Sequence, residues 1–195
     1  MPDLHGIVRW PGLPSVVSCS YTCSHSISPG TATLTTYPVG NPSMYGNLVL
    51  SDGSRNGTVT IPFCKIDSMR AVRDSEGVKW VFQILDRRWK WRFGAVNGVF
   101  NQKDPHGLFY SWCFRQERDL VAHCLEAMGE RGYVINCPVS INPPPTDWVY
   151  ANCAQALQML VDSLGCRVVY RLDTDTVLIT PTGVGAGLPP GSLTQ

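Results

Sequence analysis

The residues with the most reactive side chains are eight cysteines, at 19, 23, 64, 113, 124, 137, 153 and 166, and four histidines. His123 is adjacent to Cys124, the pairing a cysteine nucleophile and its base would need. Neighbours on a helix do not face each other, however, and Cys124 falls in an apolar stripe. His5, His25 and His106 lie in loops or poorly patterned stretches and suggest no distant partner. No CxxC pair is present, so a zinc ribbon or finger is not expected. Cys19 and Cys23 share a face if their stretch is a strand. In a long chain with a core and no secretion signal, reduced thiols buried as small hydrophobes are the expected state. Asp173 and Asp175 flank a turn, where aspartate is favoured for local hydrogen bonds. GVGAG at 183–187 resembles a phosphate loop, but Leu188-Pro189-Pro190 follows it and starts no helix. P-loop, GxSxG and HExxH motifs are absent from the sequence. Neither an enzymatic activity nor a cofactor nor a metal is expected.

One further constellation is Arg87-Arg88-Trp89-Lys90-Trp91-Arg92-Phe93. Basic residues interleaved with aromatics can bind single-stranded nucleic acid, with bases stacked on the rings. As a strand, however, the heptapeptide puts Arg88, Lys90 and Arg92 on one face and Trp89, Trp91 and Phe93 on the other. Strict alternation favours buried rings and wet cations. It also fits a basic stripe that faces a partner or lines a tube. Arg87, Arg88, Trp89, Lys90, Trp91 and Arg92 are the expected interface residues, with exposed loops such as 103–107.

The elements that must position these residues follow from periodicity. Residues 1–112 read as β. Val16 to Tyr21, Thr31 to Tyr37, Gly46 to Leu50 and Gly57 to Cys64 are expected strands, with Pro62 at an edge or bulge. Cys64 to Val72 continues the last of them. Lys79 to Asp86 is apolar on both faces and should be central. Gly94 to Asn101 adds a strand or bulged pair. After residue 114 the period changes. Gln116 to Glu130 places Leu120, Val121, Cys124, Leu125 and Met128 on one helical face. Tyr133 to Ile135 is a short strand, and Asn142-Pro143-Pro144-Pro145 is extended. Asn152 is the expected N-cap of a helix over Cys153 to Leu164, closed by Gly165. Cys166 to Leu172 and Val177 to Thr180 form a hairpin. The tail from 182 to 195 reads as a linker or arm.

Composition narrows the class. The chain has 195 residues, 44% of them hydrophobic, enough for a core. Only 16% are charged, and the net charge is +1. The low charge fits a surface that meets other protein, and equally a β-rich domain with a Ser/Thr/Asn surface. No field of one sign draws DNA or an acidic membrane. No apolar run has the length of a membrane span, and no signal peptide is evident, so folding in a cytoplasm is expected.

The order from Gln116 to Pro181 is helix, proline-rich extended segment, helix, hairpin. In this order it resembles a small domain of phage tail hub proteins, the family of baseplate hubs and late-control tail proteins. Trp148, Ala156, Leu157, Leu160, Gly165, Asp173, Ile179 and Pro181 occupy the positions of that family's pattern. Thr174 or Asp175 stands where the family usually has a turn glycine. Upstream, ILDRRWKWRFG at 84–94 looks like the first barrel domain of such hubs. The resemblance implies an α+β fold: an N-terminal antiparallel β-barrel-like domain over 1–112, then a small domain of two helices and a β-hairpin over 113–181. It further implies a structural virion protein at the tail tip. Such a protein forms a ring of three or six copies that joins the tail tube to the tip or fibres and lets DNA pass. Tube, distal tail, tape-measure and fibre proteins are the implied partners. A distal tail or tube-like ring protein is the alternative, and a cysteine-dependent tail-tip hydrolase a further one. The family usually has a second barrel domain, which 195 residues are too short to hold, so either another protein supplies that barrel or the chain is the N-terminal part of a longer product.

Overall fold

The computed structural model describes residues 7–52, 57–140 and 142–183. The fold is mixed α and β, as the sequence implies, and divides into two compact units. One comprises Met1–Arg92 and Tyr170–Thr176; the other comprises Phe93–Val169 and Val177–Gln195.

The first unit is built on a curled six-stranded antiparallel sheet, half of a barrel. Its strands are β1 (Ile7–Arg9), β2 (Ser18–Thr22), β3 (Thr31–Thr36), β4 (Tyr45–Ser51), β5 (Thr58–Asp74) and β6 (Gly77–Leu85), in the order β1-β4-β5-β6-β3-β2. β6 lies between β5 and β3, the central place its two apolar faces suggest. Alternation decides which face is wet. Ala32 and Leu34 of β3, Ile61 and Ile66 of β5, and Phe82 and Ile84 of β6 are buried on one face. Thr31, Thr33 and Thr35 of β3 are half-exposed between them.

β5 is one continuous 17-residue strand, and runs on past Pro62 as the sequence predicts. Pro62 has no N–H to give to a ladder, and the β4–β5 register shifts between Gly46 and Leu48, opposite it. Phe63 sits in this bulge with φ of 55°.

The heptapeptide Arg87–Phe93 is not a strand. It is a 3-10 helix with Arg88 and Trp91 buried. Asp86 is the physical cause. Its carboxylate accepts the Arg88 backbone N–H at 3.0 Å, and its carbonyl accepts the Trp89 N–H at 3.0 Å. A side chain that captures the backbone in this way starts a turn and overrides the two-residue period.

In the second unit, β7 (Ala95–Phe100) pairs antiparallel with β9 (Thr146–Asn152). The sequence predicts an extended segment here, and the partner of β9 lies some 50 residues upstream, beyond any local signal. Helices α1 (Glu117–Ala127) and α2 (Cys153–Ser163) follow the expected stripes closely. Leu120, Val121, Cys124 and Leu125 are buried on α1, and Ala156, Leu157, Leu160 and Val161 on α2. Asn152 caps α2, its side chain accepting the Gln155 N–H at 3.1 Å. Gly165, with φ of 62°, ends the helix in the left-handed conformation that glycine adopts without strain. β10 (Cys166–Arg171) and β11 (Thr176–Pro181) neighbour each other, and β8 (Tyr133–Ile135) adds to β11 in parallel, giving the order β10-β11-β8. Of the GVGAG stretch, 184–187 lies outside the described residues.

Candidate interaction site

The 3-10 turn is held from beneath by an ion pair. Arg88 Nη2 lies 2.8 Å from Asp86 Oδ2, and neither side chain has solvent exposure. The other donors and acceptors are also engaged. Asp86 Oδ2 accepts from the Gly30 N–H at 2.7 Å and from the Tyr21 hydroxyl at 3.1 Å. Arg88 Nη1 donates to the carbonyls of Ser24 and Ser26, at 3.0 and 2.8 Å. Burial works against the Arg88 charge, but the bonds to Asp86 and its charge outweigh it and raise the guanidinium pKa. Burial, then the Asp86 charge, raises the Tyr21 phenol. Such a fully satisfied network fixes the local backbone. Arg87 pairs with Asp175 at 2.8 Å, and both guanidinium groups lie against the Tyr170 ring, 5.0 and 5.4 Å from its centroid.

With Arg88 anchored, the turn presents Trp89 and Lys90 to a shallow pocket of about 320 Å³. Tyr45, Gly46, Asn47, Phe63 and Cys64 complete its lining. Phe63 is pinned on both sides. Its N–H donates to Asn47 Oδ1 at 3.2 Å, and its carbonyl accepts Trp89 Nε1–H at 3.1 Å. A phenylalanine with positive φ is strained, and strain of this kind is typical of functional positions. The result is a ring held outward, 57% exposed, beside Tyr45 at 55%. Tyr45 and Trp89 pack with centroids 5.7 Å apart. Lys65 lies 5.2 Å from the Trp89 centroid, and Lys90 lies 4.5 Å from that of Phe63.

The structure therefore splits the residues expected at an interface. Trp89 and Lys90 reach this pocket. Arg88 and Trp91 are buried in the chain's own core, each 1% exposed, and offer no surface. Arg92 is exposed. Tyr45, Phe63 and Lys65 were missed by sequence reasoning. The one available signal was Pro62, which marks a bulge without saying which ring it turns outward.

Of the cysteines, Cys64, Cys113, Cys124, Cys153 and Cys166 are buried as the sequence suggests, while Cys19, Cys23 and Cys137 are half-buried. All eight cysteines are free thiols. Burial pushes Cys64 and Cys124 up to about 12, and raises Cys19, Cys137, Cys153 and Cys166. A thiol so raised is a poor nucleophile at neutral pH. His123 stacks on Trp148, with ring planes 8° apart. Asp173 pairs with Arg171 at 2.6 Å, and this bond lowers its pKa. In the 103–107 loop, Asp104 accepts the His106 and Leu108 N–H groups at 2.8 and 2.9 Å. Among the described residues no group of three or more His, Cys, Asp or Glu could hold a metal ion, and no helix is long and apolar enough to cross a membrane.

No family model matches the sequence, and no curated protein matches it. Solved structures do. The tail protein from Neisseria meningitidis MC58 superposes with a TM-score of 0.57 at 14% identity, over 89% of this chain and 49% of that one. The 43 kDa tail protein of prophage MuSo2 from Shewanella oneidensis does so with a TM-score of 0.59 at 10% identity, over 90% of this chain and 53% of that one. The chain has the fold of these tail proteins and spans about half the length of each.

Proposed function

We propose that the chain is a structural subunit of a phage tail, at the hub that joins the tail tube to the distal tip. It assembles in the host cytoplasm into a ring of three or six copies and stays in the virion. Tube, distal tail, tape-measure and fibre proteins are its neighbours, and DNA passes through the ring without being read. Its role is architectural, not catalytic. The fold it shares with two tail proteins supports this reading, and so does the burial of Cys124.

One observation carries the assembly part. From Asp67, at a register shift against β6, to Asp74, all eight residues of β5 are exposed. β4 pairs with β5 only as far as Lys65, so beyond Ile66 one edge of β5 has no strand beside it among the described residues. Met69 is 54% exposed, Val72 38% and Val78, on β6, 44%. Open strand edges with apolar side chains take partners unless they are guarded. Arg70, Arg73 and Asp74 supply charge beside them, which suits a specific partner better than random aggregation.

The position in the particle is tested by immunogold electron microscopy of tailed particles that carry this protein. Gold at the distal end of the tail is expected. Label on the capsid, or none on intact particles, overturns the reading.

A further inference from the structure

We infer that the pocket formed by Tyr45, Phe63 and Trp89 binds an acidic peptide segment of a partner protein, with Lys90 in its lining and Lys65, beside it over the Trp89 ring, as the charge-reading groups. The inference rests on the assembly role above and names the chemistry of one partner surface.

Charge is the first argument. No acidic residue lines the pocket. Lys79, by contrast, pairs with Asp74 at 2.9 Å and also with Glu76. Among the described residues neither Lys65 nor Lys90 has a carboxylate partner, although both ammonium groups are held by aromatic faces. An ammonium group over a ring keeps its charge and has lost much of its freedom, so it loses little more on meeting a carboxylate.

Construction is the second argument. The bulge, the Asn47 acceptor and the Trp89 indole together keep Phe63 in a strained conformation with its ring in water. Without an occupant the strain and the exposure are both unfavourable. Tyrosine and tryptophan at the centre of a small concavity are the usual anchors of protein interfaces.

The lysines also decide against other ligands of similar size. A nucleic-acid base or a sugar ring needs a bare aromatic face on which to stack. Here Lys65 already covers Trp89 and Lys90 covers Phe63, so an uncharged ring would have to displace them. A carboxylate meets the ammonium groups where they stand.

The test uses the full chain and a fluorescein-labelled pentapeptide, Asp-Glu-Trp-Asp-Glu, read by fluorescence anisotropy. Its neutral counterpart, Asn-Gln-Trp-Asn-Gln, and a short oligothymidylate serve as the competing probes. The acidic peptide is expected to bind, to weaken as salt rises, and to weaken at least about tenfold in the double variant Lys65→Ala/Lys90→Ala. Phe63→Gly, which keeps both lysines and the bulge, should also weaken it. The proposal fails if the acidic peptide does not bind, if the neutral peptide binds as well, if the lysine variant keeps full affinity, or if oligothymidylate binds more tightly. Melting curves for each variant separate loss of the pocket from loss of the fold. Failure here with particle assembly intact removes only the pocket. Loss of assembly with the peptide still bound removes the tail-subunit reading instead.

Discussion

Asp86 and Arg88 form an ion pair with no solvent exposure on either side chain, 2.8 Å apart and two residues apart in sequence. The pair sets the course of the chain after β6. The same carboxylate that neutralises the guanidinium starts the 3-10 turn, and the turn carries Trp89 and Lys90 to the pocket. Removing one partner leaves the other charged and buried. Asp86→Ala should therefore lower unfolding stability by about 3–5 kcal/mol in urea titration. Replacing both, as Asp86→Leu/Arg88→Met, should cost less than the two single changes summed. Strictly additive losses would mean that the pair does not act as a unit.

The turn was also the main point where the sequence misled. RRWKWRF alternates as a strand should, and nothing in the heptapeptide itself signals otherwise. The deciding residue is Asp86, just before it, and its hold depends on Gly30 and Tyr21, more than fifty residues away. The helices were legible because their signals are local. α2 has its cap at Asn152, its stripe from Ala156 to Val161 and its stop at Gly165, all within one stretch of chain. The pocket was half legible. Trp89 and Lys90 stood out by type, but Phe63 and Tyr45 join them only through a register shift between β4 and β5.

The cap gives a prediction for the second unit. Asn152→Ala removes the acceptor of the Gln155 N–H and should destabilise by about 1 kcal/mol in thermal unfolding. Asn152→Asp should restore most of the loss. Equal stability of all three chains would show that the cap contributes nothing.

Buried thiols give a pH dependence. Cys64 and Cys124, pushed up to about 12, keep their protons in the folded chain where the unfolded chain has given them up. Between the ordinary thiol value, about 8.5, and about 12 the unfolded state thus binds fewer protons, and stability falls as pH rises. Burial of the Tyr21 and Tyr170 phenols acts in the same direction. Urea midpoints should be flat from neutral pH to about 8 and decline above it, with the decline reduced in Cys124→Ala. A midpoint that rises above that pH would contradict the assignment. Cys124→Ala itself should cost about 1–3 kcal/mol, as a small side chain lost from a core.

Phe63 should behave unlike a core aromatic. Phe63→Gly relieves the positive φ and gives up an exposed ring, so the change in stability should lie within about 1 kcal/mol of zero. Phe82→Ala, 1% exposed in the native chain, should cost about 3–5 kcal/mol. Comparable losses at the two sites would place Phe63 in the core and remove the reason for its strain.

The central claim is that this chain builds a particle. Sedimentation velocity of the full-length protein, over a wide concentration range, measures it most directly. A species of three or six copies is predicted. The variant Met69→Asp/Val72→Asp, which charges the exposed edge of β5, should shift it towards monomer with its melting curve unchanged. A single monomeric species at every concentration, indifferent to that variant, would contradict the account.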